Sequence, residues 1–270
     1  MGRKAHVIVW ALLAFAPFAL AEDSAWSMLK KGRKHFQSGD YKRAQTCFES
    51  AVQRDARCQD AYYYLGRIHE TRKDRKAAKA AYEAVKEDAP TYSLAQDRLG
   101  HVALASGEKK EAVKHFELAA KARSTPAAWM TLATVQMELK EFKLAEESLD
   151  KAAELSKGDF HLAELRARLY IETDREEKAL EVYRTIIKRF PNDSTPRFMS
   201  GVCLLELGRK KEAAEAWVGV LEKDPYHRSS LQRLVELWQG ESSRRAEVAE
   251  YEKRLEALRR NPPKVVARKK

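Results

Sequence analysis

The chain has little of what builds small, stapled or irregular folds. Its 270 residues include three cysteines, Cys47, Cys58 and Cys203, too few and of the wrong parity for a disulfide framework. Eleven glycines and eight prolines do not make a collagen-like or linker-rich chain. Beyond residue 20 no run is long and apolar enough for a membrane span, which takes about 20 residues. There is no Gly-rich phosphate loop or dinucleotide fingerprint, and no Cys-x-x-Cys or His-Glu-x-x-His spacing. The many Asp and Glu residues repeat along outer helix faces, so choosing two as an acid–base pair is arbitrary. No catalytic, cofactor or metal residue is therefore assigned.

What is there favours helices. Hydrophobic residues make up 44% of the chain and charged ones 34%, enough to bury a core while wetting the outer faces. Lys and Arg outnumber Asp and Glu by 51 to 40, a net charge of +11. The charges are mixed in sign along the chain, as in Lys109-Lys110-Glu111 and Arg209-Lys210-Lys211-Glu212, the pattern of solvated helical faces.

The first residues read as a sorting signal. Arg3 and Lys4 form a positive head, and Ala5 to Leu20 carry no ionised group besides the titratable His6. Pro17 interrupts the run near its end, and Ala19-Leu20-Ala21 offers small residues to a signal peptidase ahead of Glu22 and Asp23. Residues 1–21 are thus expected to be a cleaved signal, with an uncleaved anchor as the alternative. With Arg3 and Lys4 gone, 49 basic residues face 40 acidic ones, leaving +9. The expected location is outside the cytosol, in a Gram-negative periplasm, in solution or against a membrane. Nucleic acid is not an expected partner.

Self-similarity organises the rest. Small residues recur at Gly32, Gly66, Gly100, Ala133, Ala167 and Gly201, spaced 33 or 34 apart. Twelve residues after each comes Ala44, Ala78, Ala112, Ala145, Ala179 or Ala213, and four further a large side chain: Phe48, Tyr82, Phe116, Leu149, Tyr183 or Trp217. A small residue on each of two antiparallel helices lets them approach; the large one, a turn after the alanine, fills the space between units. Turn elements such as Ser38-Gly39-Asp40, Lys73-Asp74, Ser106-Gly107, Thr173-Asp174 and Leu207-Gly208-Arg209 separate the two helices, with glycine supplying a left-handed end. Arg166 occupies an otherwise apolar slot. Cys47 and Cys203 fall on buried-looking positions and Cys58 in a turn.

This pattern resembles the tetratricopeptide repeat, a unit of about 34 residues with two helices. The resemblance implies an all-α, right-handed solenoid of about six hairpins over residues 22–225. Residues 226–260 are expected to be a degenerate seventh pair that caps the stack. Leu231, Leu234, Val235 and Trp238 mark its first helix; Val248, Tyr251, Leu255 and Leu258 mark its second, with Ser242 or Ser243 as N-cap. Residues 261–270 are expected to be a basic disordered tail.

In that family the first helix of each pair lines a concave groove. Matching positions give a candidate partner-binding groove of Trp26, Leu29, Arg33, Phe36, Tyr63, Arg67, His101, Leu104, Met130, Met137, Arg168, Ile171, Phe198 and Leu205. Aromatic and Met side chains there suit a peptide or helix of a partner protein, the other reading being that they pack against neighbouring helices. Arg33, Arg67 and Arg168 share one position, as a basic ladder for acidic residues or as a solvated row. The Lys and Asn set with which some members grip a terminal carboxylate is missing. His35 and His69 occupy equivalent positions, where packing is favoured over metal binding.

These readings point to a non-enzymatic scaffold or adaptor that binds envelope proteins during assembly of an envelope machine: a pilus, a gliding-motility or secretion apparatus, or the outer-membrane assembly machinery. The alternatives are a binder of peptidoglycan or another anionic envelope polymer, with peripheral contact to polymer or membrane, and a lumenal co-chaperone.

Overall fold

The computed structural model describes residues 24–156 and 158–260; the stretches read from sequence as a sorting signal and as a basic tail lie outside the described residues. The described residues form fourteen α-helices and one 3₁₀ turn, in two bodies that divide between Gly107 and Glu108. The first body holds α1 (Ala25–Gln37), α2 (Tyr41–Arg54), α3 (Gln59–Thr71), α4 (Arg75–Glu83) and α5 (Tyr92–Ala105). The second holds α6 (Lys109–Ala122), α7 (Pro126–Glu138), α8 (Phe142–Leu155), α9 (Phe160–Ile171) and α10 (Glu176–Arg189), followed by α11 (Ser194–Glu206), α12 (Lys210–Leu221), α13 (Arg228–Trp238) and α14 (Arg245–Arg260). Within each body consecutive helices pack as hairpins, α1 on α2, α3 on α4, and α7 to α12 in three pairs. The fold is the all-α hairpin repeat expected from the 34-residue period.

The small residue and the large ring form one joint within each hairpin. A Cβ on Gly32 would stand 2.6 Å from Phe48 Cε1, one on Gly66 2.6 Å from Tyr82 Cδ1, and one on Gly201 2.8 Å from Trp217 Cδ1. Each ring therefore lies flat against bare backbone, and Phe48, Tyr82 and Trp217 are fully buried. Phe48 also stacks on Tyr64 of the next repeat, centroids 5.0 Å apart. The ring thus serves its own hairpin first and the space between repeats second. Polar ends of the rings are satisfied: Tyr82 Oη donates to Glu70 at 2.7 Å and Trp217 Nε1 donates to the Phe198 carbonyl at 3.0 Å.

Six turns join the two helices of the repeats, and each holds one residue of positive φ, two or three positions beyond the end of the first helix. Gly39, Gly107 and Gly208 lie at 79°, 80° and 73°, while Lys73, Lys140 and Asp174 lie at 62°, 60° and 54°. The following N–H reaches back to the last turn of the helix, as from Asp40 to the His35 carbonyl (2.9 Å), Asp74 to His69 (3.0 Å), Glu141 to Gln136 (2.9 Å) and Arg209 to Leu204 (2.8 Å). This closes carbonyls that a helix end leaves open. The left-handed conformation is therefore imposed at all six turns, including three without glycine. Helix starts are capped by side chains: Asp40, Asp74, Thr125 and Asp159 accept from the N–H three residues on, each worth about 1 kcal/mol.

After α12 the chain continues in a pair of helices, α13 and α14. Leu231, Leu234 and Trp238 are buried, and Leu258 joins the same core with half-buried Val248, Tyr251 and Leu255. Ser242 and Ser243 do not cap α14; they belong to a 3₁₀ turn, Ser242–Arg244, that runs directly into it. Arg166 resolves its apolar slot by bonding outward, Nη2 to the Leu149 carbonyl at 3.1 Å and Nη1 to Asp150 at 2.8 Å. Burial works against its charge, but the bond to Asp150 and one to Tyr170 hold the guanidinium more firmly protonated than usual. Cys47, Cys58 and Cys203 are free thiols; Cys58 ends a turn that its N–H closes on the Asp55 carbonyl at 2.9 Å, and it is the residue from which α3 starts.

Candidate functional site

The residues matched to the family groove lie on α1, α3, α5, α7, α9 and α11, the first helices of the hairpins. Their depths differ. In the first body Trp26 is 68% exposed, whereas Leu29 and Tyr63 are 8% and 6% exposed. Leu29 and Tyr63 are therefore core residues; Tyr63 is covered by the rings of Tyr64 and Tyr82, 5.2 and 6.0 Å away. His101 is exposed and Leu104 half-buried, and His101 Nε2 lies 3.8 Å from Asp97.

Between α1 and α3 aromatic rings and guanidinium groups interleave. Phe36 meets Tyr64 edge-on at 5.4 Å. Arg67 sits over Phe36 at 5.5 Å and Arg33 over Tyr64 at 5.7 Å. Arg67 Nη1 donates to Tyr63 Oη at 3.2 Å, and its Nε lies 3.9 Å from Glu70. Burial opposes the charge of Arg67, but the bond to Tyr63 and the nearby Glu70 raise its pKa further. The two arginines are thus stacked on rings, a geometry that orients a planar donor set.

In the second body the groove residues form a cleft. Met130, Thr131 and Thr134 on α7 face His161, Leu165 and Arg168 on α9 across a volume of about 490 Å³. Met130 and Leu165 are half-buried and His161 and Arg168 exposed, giving an apolar floor with a polar rim. Thr134 Oγ donates to the Met130 carbonyl at 2.8 Å, so its hydroxyl proton is already engaged within α7. On the rim Arg168 pairs with Glu172 at 2.8 Å and His161 Nδ1 lies 4.0 Å from Glu164. The cleft brings together two of the matched groove residues, Met130 and Arg168, and sets His161 beside them.

Met137 does not belong to this surface. It is 2% exposed and serves the core. Ile171, Phe198 and Leu205 are half-buried and pack on the core around Trp217; the Phe198 ring lies 5.4 Å from that of His227. Arg33, Arg67 and Arg168 are not a bare row, since the first two stack on rings and the third pairs with Glu172. Thr131 and Leu165 were not singled out from sequence, although Thr131 follows Met130 directly and Leu165 stands three residues before Arg168, on the same helix face. Another cleft, about 940 Å³, lies beside α12 and the start of the 3₁₀ turn, with Lys211, Glu215, Trp238 and Arg244 among its walls. No sequence motif marks it.

Among the described residues no group of three His, Cys, Asp or Glu side chains is arranged to hold a metal ion, and no helix is long and apolar enough to cross a membrane.

The Tetratricopeptide repeat family model matches residues 29–93, 98–160 and 165–227, most of the chain. Among solved structures the chain is similar to the C-terminal part of a TPR repeat-containing protein from Cytophaga hutchinsonii, at 20% identity and a TM-score of 0.66, covering 79% of this chain and 89% of that one. It is similar to YrrB, a TPR protein with an unusual peptide-binding site, at 21% identity and a TM-score of 0.59, covering 69% and 96%. It is also similar to MamA from Desulfovibrio magneticus RS-1, at 16% identity and a TM-score of 0.55, covering 63% and 97%. At these identities the likeness is one of fold. No curated protein matches the chain.

Proposed function

Because this chain belongs to the tetratricopeptide-repeat family, whose repeats form protein-interaction scaffolds, we propose that it is a non-catalytic adaptor of the bacterial periplasm. It holds proteins of an envelope machine together through peptide or helical segments laid on the first helices of its hairpins. The observation that carries this reading is the cleft between α7 and α9. Its Met and Leu floor and His–Arg rim suit a short segment with one apolar anchor and flanking polar groups. A peptide-binding site on YrrB, a chain of the same fold, supports the kind of ligand. The positive head, apolar run and small-residue exit of residues 1–21 support the compartment.

The test is site-specific photocrosslinking in cells of a Gram-negative host related to the source. A crosslinker at Thr131 or His161 is expected to capture discrete envelope proteins, and one at exposed Glu147 on α8 is expected to capture none of them. Met130→Glu should abolish the products while leaving helicity unchanged. Identical products from Thr131 and Glu147, or recovery of the unprocessed chain free in the cytosol, would refute the proposal.

A further inference from the structure

Independently of which segment the α7–α9 cleft takes, we propose that the exposed Trp26–Lys30–Arg33 side of α1 docks on an anionic phospholipid surface. α1 packs inward through buried Leu29 and Gly32 and half-buried Phe36. At the helical angle of about 100° per residue, Trp26, Lys30, Arg33 and Gln37 fall on one other side, with Lys34 at its margin. All five are exposed. Trp26, at 68%, is the most exposed large hydrophobic side chain among the described residues, and the Lys30 ammonium stands 5.5 Å from its ring centre.

The charge around this side is of one sign. From Ser24 to Gly39 the chain carries Lys30, Lys31, Arg33 and Lys34 and no Asp or Glu; Glu22 and Asp23 precede it. Next to it, the start of α2 adds Lys42 and Arg43, and the one acid there, Asp40, caps α2 and lies 3.5 Å from Arg43. Anionic headgroups attract each Lys or Arg brought close to them.

Trp26 decides between a bilayer and a soluble acidic polymer. A polymer would engage the cations and leave the indole in water. A bilayer takes both: the ring settles at headgroup depth while the lysine stems reach past it to the phosphates. The position in the chain fits. Trp26 follows the apolar stretch Ala5–Leu20 by six residues, a link of at most roughly 20 Å at full extension. A membrane that receives that stretch, in transit or as an anchor, is held within that distance of Trp26.

The test uses the full chain with vesicles of phosphatidylcholine, with and without phosphatidylglycerol, and reads amine labelling of individual lysines by mass spectrometry. Lys30 and Lys34 should be protected by the anionic vesicles and not by the neutral ones, with Lys110 and Lys143 unchanged. Lys30→Gln/Arg33→Gln/Lys34→Gln should lower the phosphatidylglycerol-dependent part of vesicle co-sedimentation by roughly tenfold or more. Removing the same charge with Lys110→Gln/Lys143→Gln/Lys188→Gln should change it by less than about twofold. Trp26→Ala should weaken vesicle binding and leave binding to soluble polyglutamate intact. Equal labelling with both vesicle types overturns the proposal. So does protection by polyglutamate as strong as that by vesicles and indifferent to Trp26→Ala, which assigns the side to an acidic polypeptide. The photocrosslinks from the α7–α9 cleft are expected in either case, so the two readings fail separately.

Discussion

Gly66→Ala sets two physical effects against each other. In an isolated helix alanine is favoured over glycine by about 1 kcal/mol, so propensity alone makes the substitution stabilising. In this hairpin the new Cβ would stand 2.6 Å from Cδ1 and 2.7 Å from Cζ of Tyr82, and ordinary contact needs close to another ångström. The ring is fully buried and tethered by its hydroxyl to Glu70 at 2.7 Å. Overpacking costs about 1–3 kcal/mol, and pulling the hydroxyl off a carboxylate costs about 1.5–3 kcal/mol more. After the propensity gain the net loss is about 1.5–5 kcal/mol. Urea unfolding followed by circular dichroism reads it as a fall in midpoint. The double-mutant cycle with Tyr82→Leu gives the control: in the Tyr82→Leu background, Gly66→Ala should be neutral or stabilising, as the natural pairing of Ala133 with Leu149 at the same positions indicates. A midpoint that rises on Gly66→Ala in the otherwise unchanged chain would refute the joint described here.

Three further outcomes follow from the same geometry. Lys73→Gly and Lys140→Gly remove side chains from left-handed backbone at φ of 62° and 60°, so each should stabilise the chain by about 1 kcal/mol in urea unfolding. The Cys203 thiol is 1% exposed and burial pushes its pKa up to about 11. At pH 8 about a thousandth of it is thiolate, so iodoacetamide should label it at least about a hundredfold slower in the folded chain than in urea. The Tyr82 and Tyr183 hydroxyls are pushed up by burial, Tyr82 further by its bond to Glu70. Folded tyrosines then hold their protons above the ordinary value of about 10. Their stabilisation is complete below that pH and lost as pH rises through the folded values; unfolding midpoints at pH 8, 10 and 11 should fall in that order, less steeply for Tyr82→Phe.

Repeat boundaries were readable because spacing records the hairpin directly: Gly32, Gly66 and Gly201 meet Phe48, Tyr82 and Trp217 as the 16-residue offset requires. The left-handed turns at Lys73, Lys140 and Asp174 were less visible. Residue type signals such a conformation when it is glycine, but here the return of the second helix onto the first imposes it whatever the side chain. Depth on the groove face was not readable at all. Leu29, Tyr63, Met130 and Phe198 share one repeat position, yet only the first two are buried, because depth depends on the size of neighbours such as Tyr64. The Arg168–Glu172 pair is an ordinary i,i+4 contact and was legible; the stacking of Arg33 and Arg67 on rings of another repeat was not, since it depends on packing across helices.

Arg166 gives the fifth repeat an address. Its guanidinium is held by the Leu149 carbonyl and Asp150, both on α8 of the repeat before. Every repeat supplies the carbonyl, but placed after α10 or α12, where Arg184 and Val218 stand at the position of Asp150, the same side chain would carry an unpaired, half-buried charge into an apolar seam. The repeats look alike in sequence, but they are not interchangeable tiles. An arrangement that deletes, duplicates or shuffles units should tolerate cuts elsewhere better than one that separates α8 from α9, and that seam fixes the order in which the modules are strung.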